Sequence, residues 1–575
     1  MTTHTIDDQE EGRRALECWL GERARNPFDA DPFFQHLLGR LLGPDYAALA
    51  PRLRELGART GPRLDALVQE SSRDENLPVV RRCDAVGRAS EEVVFHPAYH
   101  EVGRVFWDSG VLAGLAEAGS EVACGALAYV LDQHGEAGHA CPVACTAGAI
   151  KLIQRVGSDD QRQRYLPRLL DRDYDRRLHA AQFVTEVQGG SDVGLNACVA
   201  VPEPGHPGFY RLSGEKWFCS VADAGLFVVS ARPQGAEAGT RGLGLFLVPR
   251  ELDGRPNGFA LRRLKLKLGT RSMATGEMAF DGALGELIGP PAHGFRNLVG
   301  IVLDTSRVHN ALAAAGIMRR AFVEASRFAR HRRAFDRAIL EFPAVQETLA
   351  RIRLRGMAGL ATTFRLLALS DELDTGRGDA TLAGARRIGV MINKYWTSRA
   401  ATASVRDAIE VLGGNGTIED FSPLPRLYRD AIVIESWEGT HNTLCAQALR
   451  DFSARGLHEQ WLEQMRGELA RLDHPATASA GETARQLLSQ LEERLRLLLA
   501  ADAVTASAHV RHVVDHMCRL TDWIALACQH RSEAERGLDT VTPKALELYR
   551  LLWLDRVDAQ DPRLIGLQAC LAAEL

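Results

Sequence analysis

Trp437-Glu438-Gly439-Thr440-His441-Asn442, preceded at a short distance by Val411-Leu412-Gly413-Gly414-Asn415-Gly416, is the stretch from which the rest of the chain is read. A carboxylate flanked by glycines that let backbone approach a ligand is what is needed to remove a weakly acidic carbon-bound proton. Upstream of it the apolar spacing is helical in three long runs, Ala311 through Arg330, Phe342 through Leu369 and Leu382 through Leu412. Such runs pack as a bundle, so residues 291–450 read as one helical unit carrying Glu438.

Before the bundle the texture changes. Between residues 181 and 290 short apolar runs such as Phe209-Tyr210-Arg211-Leu212 and Leu226-Phe227-Val228-Val229 are bounded by Gly and Pro, which predicts an antiparallel β domain. Residues 86–180 read as a helical domain, on the run Gly110 through Leu115 and the set Ala149, Leu152, Ile153 and Val156. Residues 1–85 read as an appendage of short helices with irregular links. The stretch 451–575 reads as an extra helical domain, with Leu487, Leu488, Leu491, Leu495 and Leu498 forming an apolar stripe that belongs to a core. The class is therefore α+β with five segments.

Lys and Arg total 69 against 74 Asp and Glu, a net charge of -5, and the last 125 residues alone carry 14 cationic and 19 anionic side chains. This balance argues against a phosphate-backbone partner, which needs a cationic excess. Eleven cysteines, an odd number with no Cys-x-x-Cys, point to reduced thiols and a cytoplasmic protein. Neither a signal peptide nor a membrane-spanning apolar stretch is expected.

Other segments offer ligand-binding chemistry. Phe183-Val184-Thr185-Glu186-Val187-Gln188-Gly189-Gly190-Ser191-Asp192 combines hydroxyls with unobstructed N–H donors, though a plain turn looks the same. Gly214-Glu215-Lys216-Trp217-Phe218-Cys219-Ser220 places aromatics ahead of a hydroxyl, as needed to stack on a flat ring and bond its edge. Arg330-His331-Arg332-Arg333-Ala334-Phe335-Asp336 ends a helical run with cations, which the helix dipole alone would explain.

Taken together and in this order, these segments resemble the acyl-CoA dehydrogenase family across roughly residues 90 to 450. The resemblance implies an N-terminal helical domain, a central antiparallel β domain, a C-terminal four-helix bundle, bound FAD and a homotetramer. It further implies that Gln182, Val184, Thr185, Gly190, Ser191, Phe218 and Ser220 meet the cofactor, Phe218 and Ser220 standing where relatives carry Trp and Thr. Arg332, Phe335 and Gln346, then Glu410, Gly413, Gly414, Thr440 and Asn442, match positions that hold its nucleotide half. Ser191, Arg307, Glu438, Gly439 and Arg450 match positions at the thioester, and Glu438 matches the catalytic base. Some branches place the base just before the arginine at 307, but here that residue is Ser306. The reaction implied is oxidation of an acyl-CoA or acyl-carrier thioester to a trans-2-enoyl thioester, with electrons passed to an acceptor such as an electron-transfer flavoprotein.

Asp84-Ala85-Val86-Gly87-Arg88, Val94-Phe95-His96-Pro97-Ala98-Tyr99-His100, Cys141-Pro142, Pro425-Arg426-Leu427-Tyr428-Arg429 and Trp437 resemble an AidB-like branch of that family. That likeness implies a second reading, a DNA-associated flavoprotein that protects against alkylation with weak dehydrogenase activity; the acidic C-terminal segment counts against it. A flavin-dependent oxygenase is a third reading, against which Glu438 itself counts. His509-x-x-His512-x-x-Asp515-His516 has helical spacing for a metal but no further ligand, so no metal is expected.

Overall fold

The computed structural model describes residues 6–23, 25–557 and 561–573. The chain forms two compact units: Met1–Asp65, Glu121–Gly135 and Asn310–Leu575 make one, Ala66–Ser120 and Glu136–His309 the other. Both are discontinuous, so the five segments read from the sequence are regrouped in space.

The unit containing residues 136–309 is built on a seven-stranded sheet. After a small hairpin, β1 (Val79–Cys83) and β2 (Ala89–Val94), come β3 (Ala180–Phe183), β4 (Val199–Pro202), β5 (Phe209–Ser220), β6 (Leu226–Pro233) and β7 (Gly244–Pro249). A short pair follows, β8 (Glu251–Leu252) and β9 (Arg255–Pro256), and then β10 (Phe259–Leu264) and β11 (Thr275–Leu287). The order in the large sheet is β10-β11-β5-β4-β6-β3, with β7 pairing both β11 and β6. Most pairings are antiparallel, as the short apolar runs bounded by Gly and Pro predict, but β3 and β4 both run parallel to β6. The expectation of a purely antiparallel domain is corrected to a mixed sheet. Six residues of β6, Leu226 through Ala231, are buried in succession, the continuous apolar run of a strand covered on both faces.

Two further expectations change in this unit. Gly110 through Leu115 is not an α-helix: Gly110 takes φ 81 just after the helix Pro97–Asp108, and only a single 3-10 turn, Ala113–Ala116, follows. A boundary between residues 85 and 86 would cut the β1–β2 hairpin at its turn, where the Asp84 carboxylate accepts from the N–H groups of Val86 (2.9 Å) and Arg88 (2.8 Å).

The other unit is helical. Pro343–Asp374 and Ala380–Leu412 are its longest bundle helices, followed by Leu424–Ser436 and His441–Arg455. Pro at N1 starts the first, and Asp379 caps the second by accepting from Leu382 N–H at 2.8 Å. The N-terminal residues are part of this core rather than an appendage. Trp19 packs edge-on against Phe328 and stacked on Phe421, at 5.5 and 5.0 Å between ring centres. Phe34 packs on Tyr129, whose hydroxyl donates to Asp31 at 2.9 Å. Short apolar segments read as irregular in sequence bury here because a larger unit supplies the other face. In the helix Ala478–Ala500, Leu488, Leu491, Leu495 and Leu498 are buried against Ala503–Glu535, as the stripe predicts. Among the described residues no helix is long and apolar enough to cross a membrane.

Two buried histidines make stability depend on pH. Burial pushes His139 down to about 3 and His516 down to about 4. Below the ordinary value of 6.5 the unfolded chain takes protons that these native sites refuse, so stability falls as pH drops from 6.5 towards 4, by up to ~1.4 kcal/mol per pH unit for each histidine. Urea titrations at pH 7.5 and 5 are expected to show this loss, and His516→Leu to reduce it; an unchanged pH dependence in that variant would refute the assignment.

Candidate active site

The residues singled out in the sequence fall into two groups, one in each unit. In the sheet-containing unit, β3 carries Gln182, whose Nε2 donates to Ser306 Oγ at 2.9 Å. The chain then leaves the sheet through Val184 and Thr185. Val184 O accepts from Asn196 Nδ2 at 2.8 Å and from Lys216 Nζ at 3.3 Å, while Thr185 O accepts from Trp217 N–H at 2.9 Å. Gly190 comes back against Thr185 so closely that a Cβ there would stand 2.6 Å from Thr185 Oγ1, which is why the loop needs glycine at that point. Ser191 lies exposed beyond it.

The loop is tied from beneath by a pair that sequence reasoning passed over. Lys216 and Glu186 are buried, with Nζ 2.7 Å from Oε1, and the same carboxylate accepts from the N–H groups of Ala197 (2.6 Å) and Cys198 (3.2 Å). Burial alone would raise Glu186, but Lys216 and these donors outweigh it and hold the carboxyl below its usual range. A lysine and a glutamate inside otherwise ordinary β and turn segments were the available signal.

On β5, the two residues after Lys216 diverge. Phe218 is 54% exposed, an unusual position for a large apolar ring. Lys265 Nζ sits 3.5 Å from the centre of the Trp217 ring and 4.8 Å from that of Phe218. Ser220 pairs across the sheet with Thr275, their hydroxyls 3.4 Å apart. Arg307 is buried, on the same helix as Ser306.

In the helical unit, Glu438 lies in the break between Leu424–Ser436 and His441–Arg455. Its φ is 54, left-handed and unusual for a residue with a side chain, and Gly439 follows at φ 106, a region open essentially to glycine. Glu438 is half-buried, Gly439 half-buried and Thr440 exposed. Thr440 Oγ1 and Thr443 Oγ1 are 3.0 Å apart, and the Asn442 side-chain oxygen accepts from Arg511. His441 Nε2 lies 2.7 Å from Glu435 Oε2. Arg450 is exposed two turns along the following helix.

Glu410 lies in the last turn of the helix Ala380–Leu412 and its carbonyl accepts from Gly413 N–H; Gly413 and Gly414 are exposed. Arg332 and Gln346 flank a hairpin of β12 (Arg333–Ala334) and β13 (Arg337–Ala338). Phe335 and Asp336 form its turn with φ 52 and 64, and Phe335 is 90% exposed. Of the cluster read as a possible metal site, Asp515 accepts from Tyr395 at 2.6 Å and pairs with Arg399, and among the described residues no group of three or more His, Cys, Asp or Glu stands together to hold a metal ion.

Family models match most of the stretch from residue 22 to 452: the AidB N-terminal domain over residues 22–176, the acyl-CoA dehydrogenase middle domain over 181–283 and its C-terminal domain over 292–452. The putative acyl-CoA dehydrogenase AidB of Escherichia coli is 34% identical over 72% of this chain and 79% of its own. The chain belongs to the acyl-CoA dehydrogenase family. Within that family it is AidB-like, and acyl-CoA dehydrogenase family member 11 of Caenorhabditis elegans is 29% identical over 86% of this chain and 82% of its own. The solved structure of Caenorhabditis elegans ACDH-11 in complex with C11-CoA superposes with a TM-score of 0.84 at 27% identity, covering 93% of this chain and 92% of that one. The acyl-CoA dehydrogenase match ends at residue 452, so the helices beyond it lie outside the matched family domains.

Proposed function

We propose that the protein is an FAD-dependent acyl-CoA dehydrogenase in which Glu438 takes the α-proton of an acyl thioester as a hydride leaves the β-carbon, giving a trans-2-enoyl thioester. The observation that carries this reading is the backbone at Glu438: a carboxylate held in left-handed conformation between two helices, with glycine behind it. Residues held in such conformations cluster where a reacting group must be presented at one angle. Bound FAD would supply the hydride acceptor.

The residues fit such a group. In the sheet-containing unit Val184, Thr185 and the backbone at Gly190 and Ser191 form a loop with N–H and hydroxyl groups and no side chain at 190, and Phe218 presents an exposed ring for stacking, with Gln182 and Ser220 nearby in sequence. In the helical unit Glu410, Gly413, Gly414, Thr440 and Asn442 would hold the nucleotide half, and Arg332, Phe335 and Gln346 would do so across a subunit boundary in a homotetramer. The 90% exposure of Phe335 on a tight turn supports a partner there. Ser191, Arg307, Gly439 and Arg450 would meet the thioester, and the Glu438 main-chain N–H would stabilise its enolate-like oxygen. ACDH-11 is solved with C11-CoA, which supports a CoA thioester as substrate; an electron-transfer flavoprotein is the expected acceptor.

The DNA-associated reading has less support. Arg485 and Arg496 pair with Glu482 (3.0 Å) and Glu493 (2.7 Å), Arg519 lies over Trp396 and Arg511 donates to Asn442. Cations so engaged form no open phosphate-binding stripe. The deciding experiment is anaerobic: purified yellow protein mixed with a series of straight-chain acyl-CoA thioesters is expected to lose its flavin colour with at least one of them. A protein that retains no flavin, or that no thioester bleaches, would overturn the reading.

A further inference from the structure

Lys394 stands in the middle of the helix Ala380–Leu412, within Gly389-Val390-Met391-Ile392-Asn393-Lys394-Tyr395, and is fully buried. A lysine so placed ordinarily loses its charge or finds strong acceptors, because removing an ammonium from water is costly. Here the acceptors are two main-chain carbonyls: Nζ donates to Glu435 O at 2.9 Å and to Gly439 O at 2.9 Å. Those carbonyls bracket the break between the helices Leu424–Ser436 and His441–Arg455, and Glu438 lies between them.

We infer that Lys394 is the positioning residue of the proposed base: its ammonium ties both ends of the Glu435–Gly439 turn and so holds Glu438 in its left-handed backbone. This rests on the reading of Glu438 as the base. Without an anchor the turn has reason to relax. A non-glycine residue at φ 54 is strained and persists only where its surroundings over-determine it. Gly439 at φ 106 offers no stiffness of its own.

The outer side of the same turn is braced more loosely. Tyr395, the next residue on the helix, donates to Asp515 at 2.6 Å and meets His441 edge-on at 5.3 Å, and His441 pairs with Glu435 at 2.7 Å. These contacts hold the flanks of the turn through side chains. Lys394 alone among them grips the carbonyl of the residue after Glu438, so it bears most directly on where the carboxylate points.

The step to measure is proton transfer by itself. In a 3-thia-acyl-CoA, sulfur replaces the β-carbon, so no hydride can leave; the α C–H bond still breaks, its electron pair stays in the enolate, and in D2O a deuteron returns to form C–D. The flavin-loaded wild-type protein is expected to exchange the α-protons, read by NMR, and Glu438→Gln to stop this. Lys394→Met is expected to exchange at least ~10-fold more slowly, since a displacement of about 1 Å at a reacting group can cost 100-fold. Its Kd for the thioester should stay within about threefold and its flavin content unchanged, because no binding group is removed. Lys394→Gln, which keeps a shorter amide donor, should fall between Lys394→Met and wild type.

Exchange by Lys394→Met at the wild-type rate would overturn the inference while leaving Glu438 as the base, and so would a loss of exchange matched by an equal loss of thioester binding. If Lys394→Met does not fold, Lys394→Gln against wild type decides, an unchanged rate again overturning it. A wild-type protein that exchanges nothing would defeat the reading of Glu438 itself and this inference with it.

Discussion

Glu438→Gln is expected to slow anaerobic bleaching of the bound flavin by acyl-CoA about 10^4-fold, the upper end of what a positioned general base contributes. The amide matches the carboxylate in size, so the left-handed turn has no steric reason to move. What it loses is the ability to take a proton. Thioester affinity is expected to change by no more than about threefold, and stability by less than ~0.5 kcal/mol, as for a half-buried side chain replaced by its isostere. Glu438→Asp makes the complementary point: a base drawn back by one methylene should lose about 100-fold, because reach rather than charge is impaired. Stopped-flow absorbance with one saturating thioester separates the variants, and a Gln variant bleaching at the wild-type rate would remove Glu438 from the reaction. Ser306, where the family resemblance would place an alternative base, bears a hydroxyl that accepts from Gln182 and no carboxylate.

Lys216→Met is expected to destabilise the sheet-containing unit by about 3–5 kcal/mol, the range for breaking a buried ion pair by removing one partner. The size follows from what stays behind. Glu186 would remain buried with only N–H donors, having lost the cation 2.7 Å away. Its carboxyl would then rise, and the deficit against wild type should shrink as pH falls and the group protonates. Glu186→Gln added to Lys216→Met removes the uncompensated charge and should recover part of the loss. Because Glu186 also gathers the N–H groups of Ala197 and Cys198, the single variant should loosen the turn that carries Thr185 through Ser191. Weaker FAD retention on dilution is the expected companion result. Urea unfolding followed by tryptophan fluorescence measures the first effect, and a loss below ~1 kcal/mol would mean the pair does not hold the loop.

The contrast between these two lysines and the motif residues shows what a sequence makes legible. Glu438, Gly439 and the Gly-Gly pair stand out because their chemistry is local: a carboxylate and the glycines that permit unusual backbone lie within a few residues of one another. The helices Pro343–Asp374 and Ala380–Leu412 were equally legible, since helical periodicity is a short-range property. Lys216 and Lys394 did not stand out, because their partners lie 30 and more residues away along the chain and burial cannot be read from one side of a contact.

The sequence by itself determined the family and the order of sheet and bundle from residue 181 to 450, and it singled out Glu438 as the carboxylate proposed to take the proton. Tertiary structure alone decided three things. Trp19 and Phe34 belong to the core of the helical unit, because they find partners on helices about a hundred or more residues downstream. β3 and β4 run parallel to β6, because a strand's direction is set by which neighbour it reaches and not by its own alternation. Glu438 sits on a turn tied at both ends, because the ammonium that ties it comes from a different helix, and a hydrogen bond depends on distance in space rather than along the chain.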